Sequence, residues 1–468
     1  MSESHTASVP RDIDDQVMDD DDRLRPEFVA RVLDAVEEGD DETARALVAP
    51  LHPADVADLI ELARADERDG LVAALAGIVD ADVIAELNDH VRDLLLGEME
   101  PQQLADLAGQ LDTDDAVAIL EDLEDDEQRA VLRAMEPDDR AAIEEALSYP
   151  QESAGRLMQR DLIAVPEHWS VGQVIDYLRA GDELTTDFWE VFVVSPTHHP
   201  VGTCKLSTLL RSPRRIRVAD IMLDDQTLIP VDMDQEEVAL RFQKYALISA
   251  AVVDPNGRLV GMITVDDIVH IIQEEAGEDV LLLSGAGDGD INEPIHLTVR
   301  TRLTWLVINL GTAMLAASVV GLFQGDIGRF ALLAVLMPIV SGMGGNAGTQ
   351  TLAVVVRAIA TNQLTDSNTA RMIGREFKIA LANGLSLGLL IGGGTWLLFD
   401  NQTLGLVIGA AMIINNLIAG LAGILVPVSL DRARIDPAVS SAVFVTMATD
   451  VMGFLSVLGL ASLAGLSG

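Results

Sequence analysis

The sequence predicts a multidomain protein: an α-helical superhelix at the N-terminus, a tandem α/β module, a connecting (plug) helix and a five-helix transmembrane domain. Three observations carry this. Charge is segregated, since residues 301–468 hold 8 Lys and Arg against 7 Asp and Glu, leaving 23 against 68 in residues 1–300 of a chain with net charge −44. A hydrophobic content of 49% beside that charge means that the two halves meet different solvents. Two internal repeats, one helical and one of mixed strand and helix, precede a series of apolar runs of spanning length.

In chain order, residues 1–23 form an acidic stretch expected to be a disordered tail, with no apolar signal core to direct export. Residues 24–148 repeat one pattern in "LHPADVADLIEL", "MEPQQLADLAGQL" and "MEPDDRAAIEEAL", an apolar residue and then x-Pro ahead of an amphipathic run. Pro53, Pro101 and Pro137 suit the first helical turn, where a missing amide proton costs nothing. Stacked helical pairs are the expected result.

Residues 153–214 and 215–275 repeat strand, helix, strand, turn, strand, helix, with "DPNGRL" reading as a hairpin turn. Cys204 is the single cysteine, so no disulfide forms within the chain and a reducing compartment suits this half. Its negative charge repels nucleic acid and attracts cations. Residues 276–300 are expected to be mostly helical, interrupted by "SGAGDGD", and Glu274, Glu275, Glu278 and Asp279 fall at helical spacing. Like charges at that spacing destabilise a helix, and either solvent or bound divalent cations offset them.

Five spans are expected at about 304–323, 330–360, 377–399, 403–429 and 438–466. Basic residues precede the first (Arg300, Arg302), the third (Arg371, Arg375, Lys378) and the fifth (Arg432, Arg434). This alternation places the N-terminus in the cytoplasm and the C-terminus outside. The second span holds "LMPIVSGMGGNAGTQTL", in which Pro338, Gly342, Gly344, Gly345 and Gly348 are expected to loosen the helix. Close packing through small residues explains the same glycines. Asn346 and Gln350, four apart on one face, point to a wet lining with oxygens for a hydrated ion.

Asp450 lies near the middle of the fifth span, taken here as the one carboxylate within the spans, with Thr446 and Thr449 flanking it on the same helix as expected further oxygen ligands. An ionised carboxylate at that depth faces water or a cation, the alternative being a protonated, hydrogen-bonded acid. One carboxylate per chain is sparse for a divalent ion, and a two-fold dimer with Asp450 on its axis supplies two. Mg²⁺ keeps several waters and touches one or two carboxylates, which fits such a site.

The order of these parts, with "YPQESAGRLMQRD", "DQEEV", "GRLVGMITVDDIV", "PIVSGMGGNAGTQTL" and "DPAVSSAVFVTMATDVMGF", resembles the MgtE family of magnesium channels from about residue 24 onward, including a tandem CBS pair. The resemblance implies a homodimer in the lipid bilayer, with a pore on the two-fold axis where Asp450 faces hydrated Mg²⁺ and Asn346 lies near it. It also implies that cytoplasmic Mg²⁺ bridges acidic surfaces and holds the gate shut. Positions matching the sensing carboxylates are Asp234, Glu236, Asp267, Glu275, Glu278 and Asp279. Thr264 and Asp267 match CBS residues that hold a ribose in some members, which implies ATP as a modulator. His270 and Ala246 stand where relatives often carry acids.

No enzymatic activity is expected. An intramembrane aspartyl protease needs two catalytic carboxylates in the spans, and "GMGGNAGT" lacks the lysine of a phosphate loop. The remaining alternatives are a membrane-anchored cation sensor that conducts nothing and an ion-coupled secondary transporter.

Overall fold

The computed structural model describes residues 17–21, 23–97, 99–121, 123–180, 188–285, 292–365, 367–439 and 441–466, with the side chains of 279 and 326 excepted. It divides into two compact units, Met1–Ile272 and Gln273–Gly468.

The first unit opens with short helices: α1 (Pro26–Glu37), α2 (Asp41–Val48), α3 (Pro53–Leu62), α4 (Ala65–Ala74), α5 (Ala81–Ala85), α6 (Asp89–Leu96), α7 (Pro101–Ala108), α8 (Thr113–Glu121), α9 (Asp125–Ala134) and α10 (Pro137–Leu147). Proline opens α3, α7 and α10 as the repeat predicts, and α1 as well, because its fixed φ suits the first turn and its missing donor has no helical partner there. Asp40, Asp80 and Asn88 cap α2, α5 and α6 by accepting backbone N–H bonds. Phe28, Leu59, Ile60, Leu71, Leu75 and Leu120 fill one continuous core. Most of the expected tail lies outside the described residues, but Val17 is buried in that core and Met18 bridges Leu24.

Two equivalent sheets follow. β1 (Ala164–Pro166) runs parallel to β2 (Glu190–Val194), which pairs antiparallel with β3 (Pro200–Lys205). The second sheet, β4 (Leu228–Pro230), β5 (Ser249–Val253) and β6 (Leu259–Thr264), repeats that order, and each has its irregularity at the same place, Val193/Val194 and Val252/Val253. Helix α11 (Val171–Ala180) crosses over the first sheet, α12 (Leu206–Arg211) leaves it, and α13 (Gln235–Tyr245) crosses over the second. Phe192 and Val194 of the first sheet pack with Ala251, Leu259 and Met262 of the second, so the repeats share a core. In the "DPNGRL" turn, Asp254 Oδ1 accepts the amides of Asn256 and Arg258, both at 2.8 Å, and Gly257 takes φ +77°.

Helix α14 (Val265–Ser284) leaves β6 and continues into the connector, so the connector expected at 276–300 is not a separate helix in its first half. The glycine-rich interruption falls mostly in 286–291, outside the described residues.

Among the described residues five helices are long and apolar enough to cross a membrane: α15 (Ile295–Leu322), α17 (Leu332–Ala360), α18 (Thr369–Phe399), α19 (Gln402–Arg432) and α20 (Ser441–Leu463). A short α16 (Gln324–Arg329) links the first two. Helix α17 runs unbroken through Pro338 and all its glycines, against the expectation of a loosened segment. Packing is the reason. A Cβ on Gly344 would strike the Asn415 amide of α19, and one on Gly348 would strike Val445 of α20. Helices α18 and α19 approach in the same way, since a Cβ on Gly388 would lie 2.8 Å from the Gly409 carbonyl oxygen.

Candidate metal-ion sites

In the membrane unit α17, α19 and α20 converge around Asn415, which is fully buried and donates from Nδ2 to the Val340 carbonyl at 2.9 Å. Room for it comes from Gly344 on α17 and Gly453 on α20. Its Oδ1 has no hydrogen-bond partner among the described residues. Beside this wedge, the buried Ser341 hydroxyl donates to Asp450 Oδ1. Asp450 itself is partly exposed. One oxygen is therefore fixed by α17 and the carboxylate retains an open side, the arrangement in which a charged group at membrane depth can meet a hydrated cation.

Asn346 and Gln350 are exposed on α17, and Thr446 is exposed on α20. Thr449 does not join them. It is fully buried, and its hydroxyl donates to the Thr446 carbonyl at 2.9 Å, so it is not the extra oxygen ligand expected.

Asp450 is also not the lone carboxylate in the spans. Helix α18 begins at Thr369, eight residues before the expected start, and places Glu376 inside the bundle at 5% exposure. Glu376 Oε2 accepts from Thr351 of α17 at 3.2 Å, while Oε1 lies 4.0 Å from Arg375. It stands on the buried stripe Thr369, Glu376, Ala380, Gly384 and Gly388, which share one face of α18.

In the first unit a second group of acids gathers where α8 meets the start of α14. Asp112 precedes α8, and Asp114 and Asp115 occupy its first turn, where the helix dipole favours negative charge. Burial nevertheless pushes the Asp114 carboxyl well above the usual range, reinforced by the charges of Asp267, Asp115 and Asp112. Burial likewise carries Asp115 up to about 6, with Asp112 and Glu86 adding repulsion. Asp267 also rises to about 6 through burial, against the lowering effect of its bond from Thr264 Oγ1 at 2.7 Å. Asp114 Oδ1 lacks a hydrogen-bond partner among the described residues. Crowded acids with an orphaned oxygen fit a divalent cation, which would supply the missing positive charge. No three His, Cys, Asp or Glu groups among the described residues already close around an ion position.

The family model for divalent cation transporters matches residues 337–460, that for the MgtE intracellular N domain matches 51–152, and that for the CBS domain matches 218–274. The magnesium transporter MgtE of Enterococcus faecalis is 38% identical over 384 residues, covering 82% of this chain and 84% of the relative. The chain belongs to the MgtE family. The Thermus thermophilus MgtE is 33% identical over 325 residues, covering 68% of this chain and 72% of the relative. Among solved structures, the cytosolic domain of the Mg²⁺ channel MgtE in complex with ATP is 28% identical with TM-score 0.48, covering 52% of this chain and 99% of that one.

Within this MgtE family member the expected sensing residues have different settings. Asp234 is exposed and caps α13, accepting the Glu236 amide at 3.0 Å. Glu236 is partly exposed. Glu275 is partly exposed and Glu278 exposed on α14, and the Asp279 side chain lies outside the described residues. Thr264 and Asp267 are brought together, each already bonded to the other. The sequence reading missed Asp112, Asp114 and Asp115, although an acidic triplet opening an apolar helix was visible as "DTDDAVAIL".

Proposed function

We propose that this chain is a Mg²⁺-selective channel that carries magnesium into the cell as a homodimer, with the N-terminal unit in the cytoplasm and the C-terminus outside, and that it catalyses no reaction. As a member of the MgtE family it is a multi-pass membrane protein that transports divalent cations. The observation that carries the conducting role is the Asp450 carboxylate, held on one oxygen by Ser341 and open on the other side. Two such carboxylates across a two-fold axis match an ion that keeps most of its water. An inward potential supplies about 2.3 kcal/mol per charge per 100 mV, so entry needs no hydrolysis of ATP.

Cytosolic Mg²⁺ closes the channel in this reading by joining Asp112, Asp114 and Asp115 to Asp266 and Asp267, together with the acids of α13 and α14. Without the ion these like charges repel. Support for a mechanical link comes from the far end of α14, where Leu282 and Leu283 pack against Leu352, Val356 and Val445 on α17 and α20. A fully switching gate needs roughly 5.5 kcal/mol of preference for one state, which several weak sites can sum to. We assign ATP, as a modulator, to the neighbouring Thr264 and Asp267.

Mg²⁺ flux into proteoliposomes tests the reading. Wild type is expected to pass Mg²⁺ without a counter-gradient of Na⁺ or H⁺, Asp450→Ala to lose at least most of that flux, and Asn346→Leu to reduce it. Absence of flux in the wild type would leave a non-conducting sensor, and flux that depends on a counter-gradient would make it a coupled transporter.

A further inference from the structure

A cavity of about 450 Å³ opens where α17 ends and α18 begins, and Arg357, Arg371 and Arg375 stand around it. Arg371 and Arg375 are four apart and share one face of α18, while Arg357 comes from the last turns of α17. All three are exposed. Arg375 lies 4.0 Å from Glu376, a carboxylate that is itself engaged by Thr351. Three guanidinium groups around one hollow repel one another, and an anion with several oxygens relieves that repulsion best. Phosphate is the group whose geometry the planar guanidinium matches with paired hydrogen bonds.

Gln363 and Asn368 add polar groups to the lining, and its remainder is apolar. Leu364 and Met372 belong to a packed cluster with Val355, Ile424 and Val428, and Val354 faces outward at 49% exposure. The loop between the helices is tied in place: Asn368 Nδ2 donates to the Gln363 carbonyl at 2.8 Å, its Oδ1 accepts the Thr365 amide at 2.9 Å, and the Leu364 amide reaches the Ala358 carbonyl at 2.7 Å. A cavity fixed in this way costs little ordering on binding. No aromatic ring lines it to stack a nucleotide base. It lies at the ends of two spanning helices, the depth at which lipid headgroups sit.

We propose that this cavity binds the phosphate headgroup of an anionic phospholipid, with the three arginines on the phosphate and the Val354 side open to the first carbons of the acyl chains. The site is separate from Asp450 and from the acids of the first unit, and it stands whether or not the channel reading does.

Native mass spectrometry of the purified full-length protein titrated with phosphatidylglycerol or phosphatidylcholine tests it. Arg357→Gln/Arg371→Gln/Arg375→Gln is expected to weaken phosphatidylglycerol binding on the order of a hundredfold, from the loss of three interfacial charges. Phosphatidylcholine binding is expected to stay unchanged. The corresponding triple Lys variant, which retains charge but not the paired guanidinium hydrogen bonds, should bind phosphatidylglycerol more tightly than the Gln variant and less tightly than wild type, and a folding defect would not be rescued this way. Excess glycerol phosphate should fail to displace the lipid. Equal phosphatidylglycerol binding by wild type and the Gln variant would overturn the site. Loss of binding in the Lys variant as complete as in the Gln variant would overturn its electrostatic basis, and displacement by glycerol phosphate would reassign it to a soluble anion.

Discussion

Among the described residues, Asp114 is the side chain whose surroundings least suit its charge. It is 9% exposed, faces other acids, and leaves Oδ1 without a hydrogen-bond partner among the described residues. Leaving a buried polar atom unsatisfied costs about 1–3 kcal/mol, more when the group is charged. Asp114→Asn removes the charge at constant shape and offers an amide donor to the neighbouring carboxylates. The expected outcome in EDTA is a thermal midpoint raised by a few degrees, together with a smaller rise on adding Mg²⁺ than the wild type shows. Calorimetry with and without Mg²⁺ measures both, and a lowered midpoint in EDTA would mean that Asp114 is not a repelled charge. Asn415 also leaves its Oδ1 without a partner among the described residues, but it carries no charge. Its bulk fills the space left by Gly344 and Gly453, and its amide is fixed on the Val340 carbonyl, which settles where Ser341 holds Asp450.

At the scale of the element, α14 is the part whose length matters most. Its first turn carries Asp266 and Asp267, its middle Glu275 and Glu278, and its last turn Leu282 and Leu283 against the spanning helices. A rigid rod of 20 residues can pass a change at one end to the other, provided that its hydrogen bonds are continuous. Gly277 lies in its middle with open space where a Cβ would stand. Gly277→Pro removes a helical hydrogen bond and disturbs the preceding turn at a cost of about 3 kcal/mol. Such a variant is expected to conduct Mg²⁺ in proteoliposomes while losing most of the inhibition by Mg²⁺ on the α14 side. Full retention of that inhibition would remove α14 from the path. Much of the element plan was readable from sequence: x-Pro before amphipathic runs marks the starts of α3, α7 and α10, and "DPNGRL" marks the β5–β6 turn, because each signal acts within a few residues. The start of α18 was not readable, since hydropathy alone sets Glu376 outside the span and only packing against Thr351 and Gly420 shows that the helix enters the bundle earlier.

For the whole molecule, separation of charge governs behaviour in solution. Residues 1–300 carry 68 Asp and Glu against 23 Lys and Arg, so compactness there depends on cations and on pH. Asp115 and Asp267 are held near 6 in the folded unit against an ordinary value of 3.8. Folded protein therefore binds more protons than unfolded chain in that window. The stability these groups contribute is fully present below 3.8 and is lost as pH rises through about 6. In EDTA, the Asp115→Asn/Asp267→Asn variant is expected to show a flatter fall in thermal midpoint between pH 5 and pH 7.5 than wild type. Mg²⁺ should restore more stability to wild type at the higher pH, where it no longer competes with protons. Identical pH profiles for the two proteins would show that these acids are not the ones that titrate on folding.

The sequence by itself determined the order of domains, the duplicated sheets, the spanning helices and the placing of Asp450 in the last of them, because periodicity, turn residues and hydropathy are local properties of the chain. Tertiary structure decided which polar groups meet. Ser341 lies 109 positions from Asp450, Asn415 lies 75 from Val340, and Gln159 lies 108 from Asp267. Only folding brings residues so far apart into contact, and the burial that follows sets which carboxylates are held by a partner and which are left crowded with their own kind.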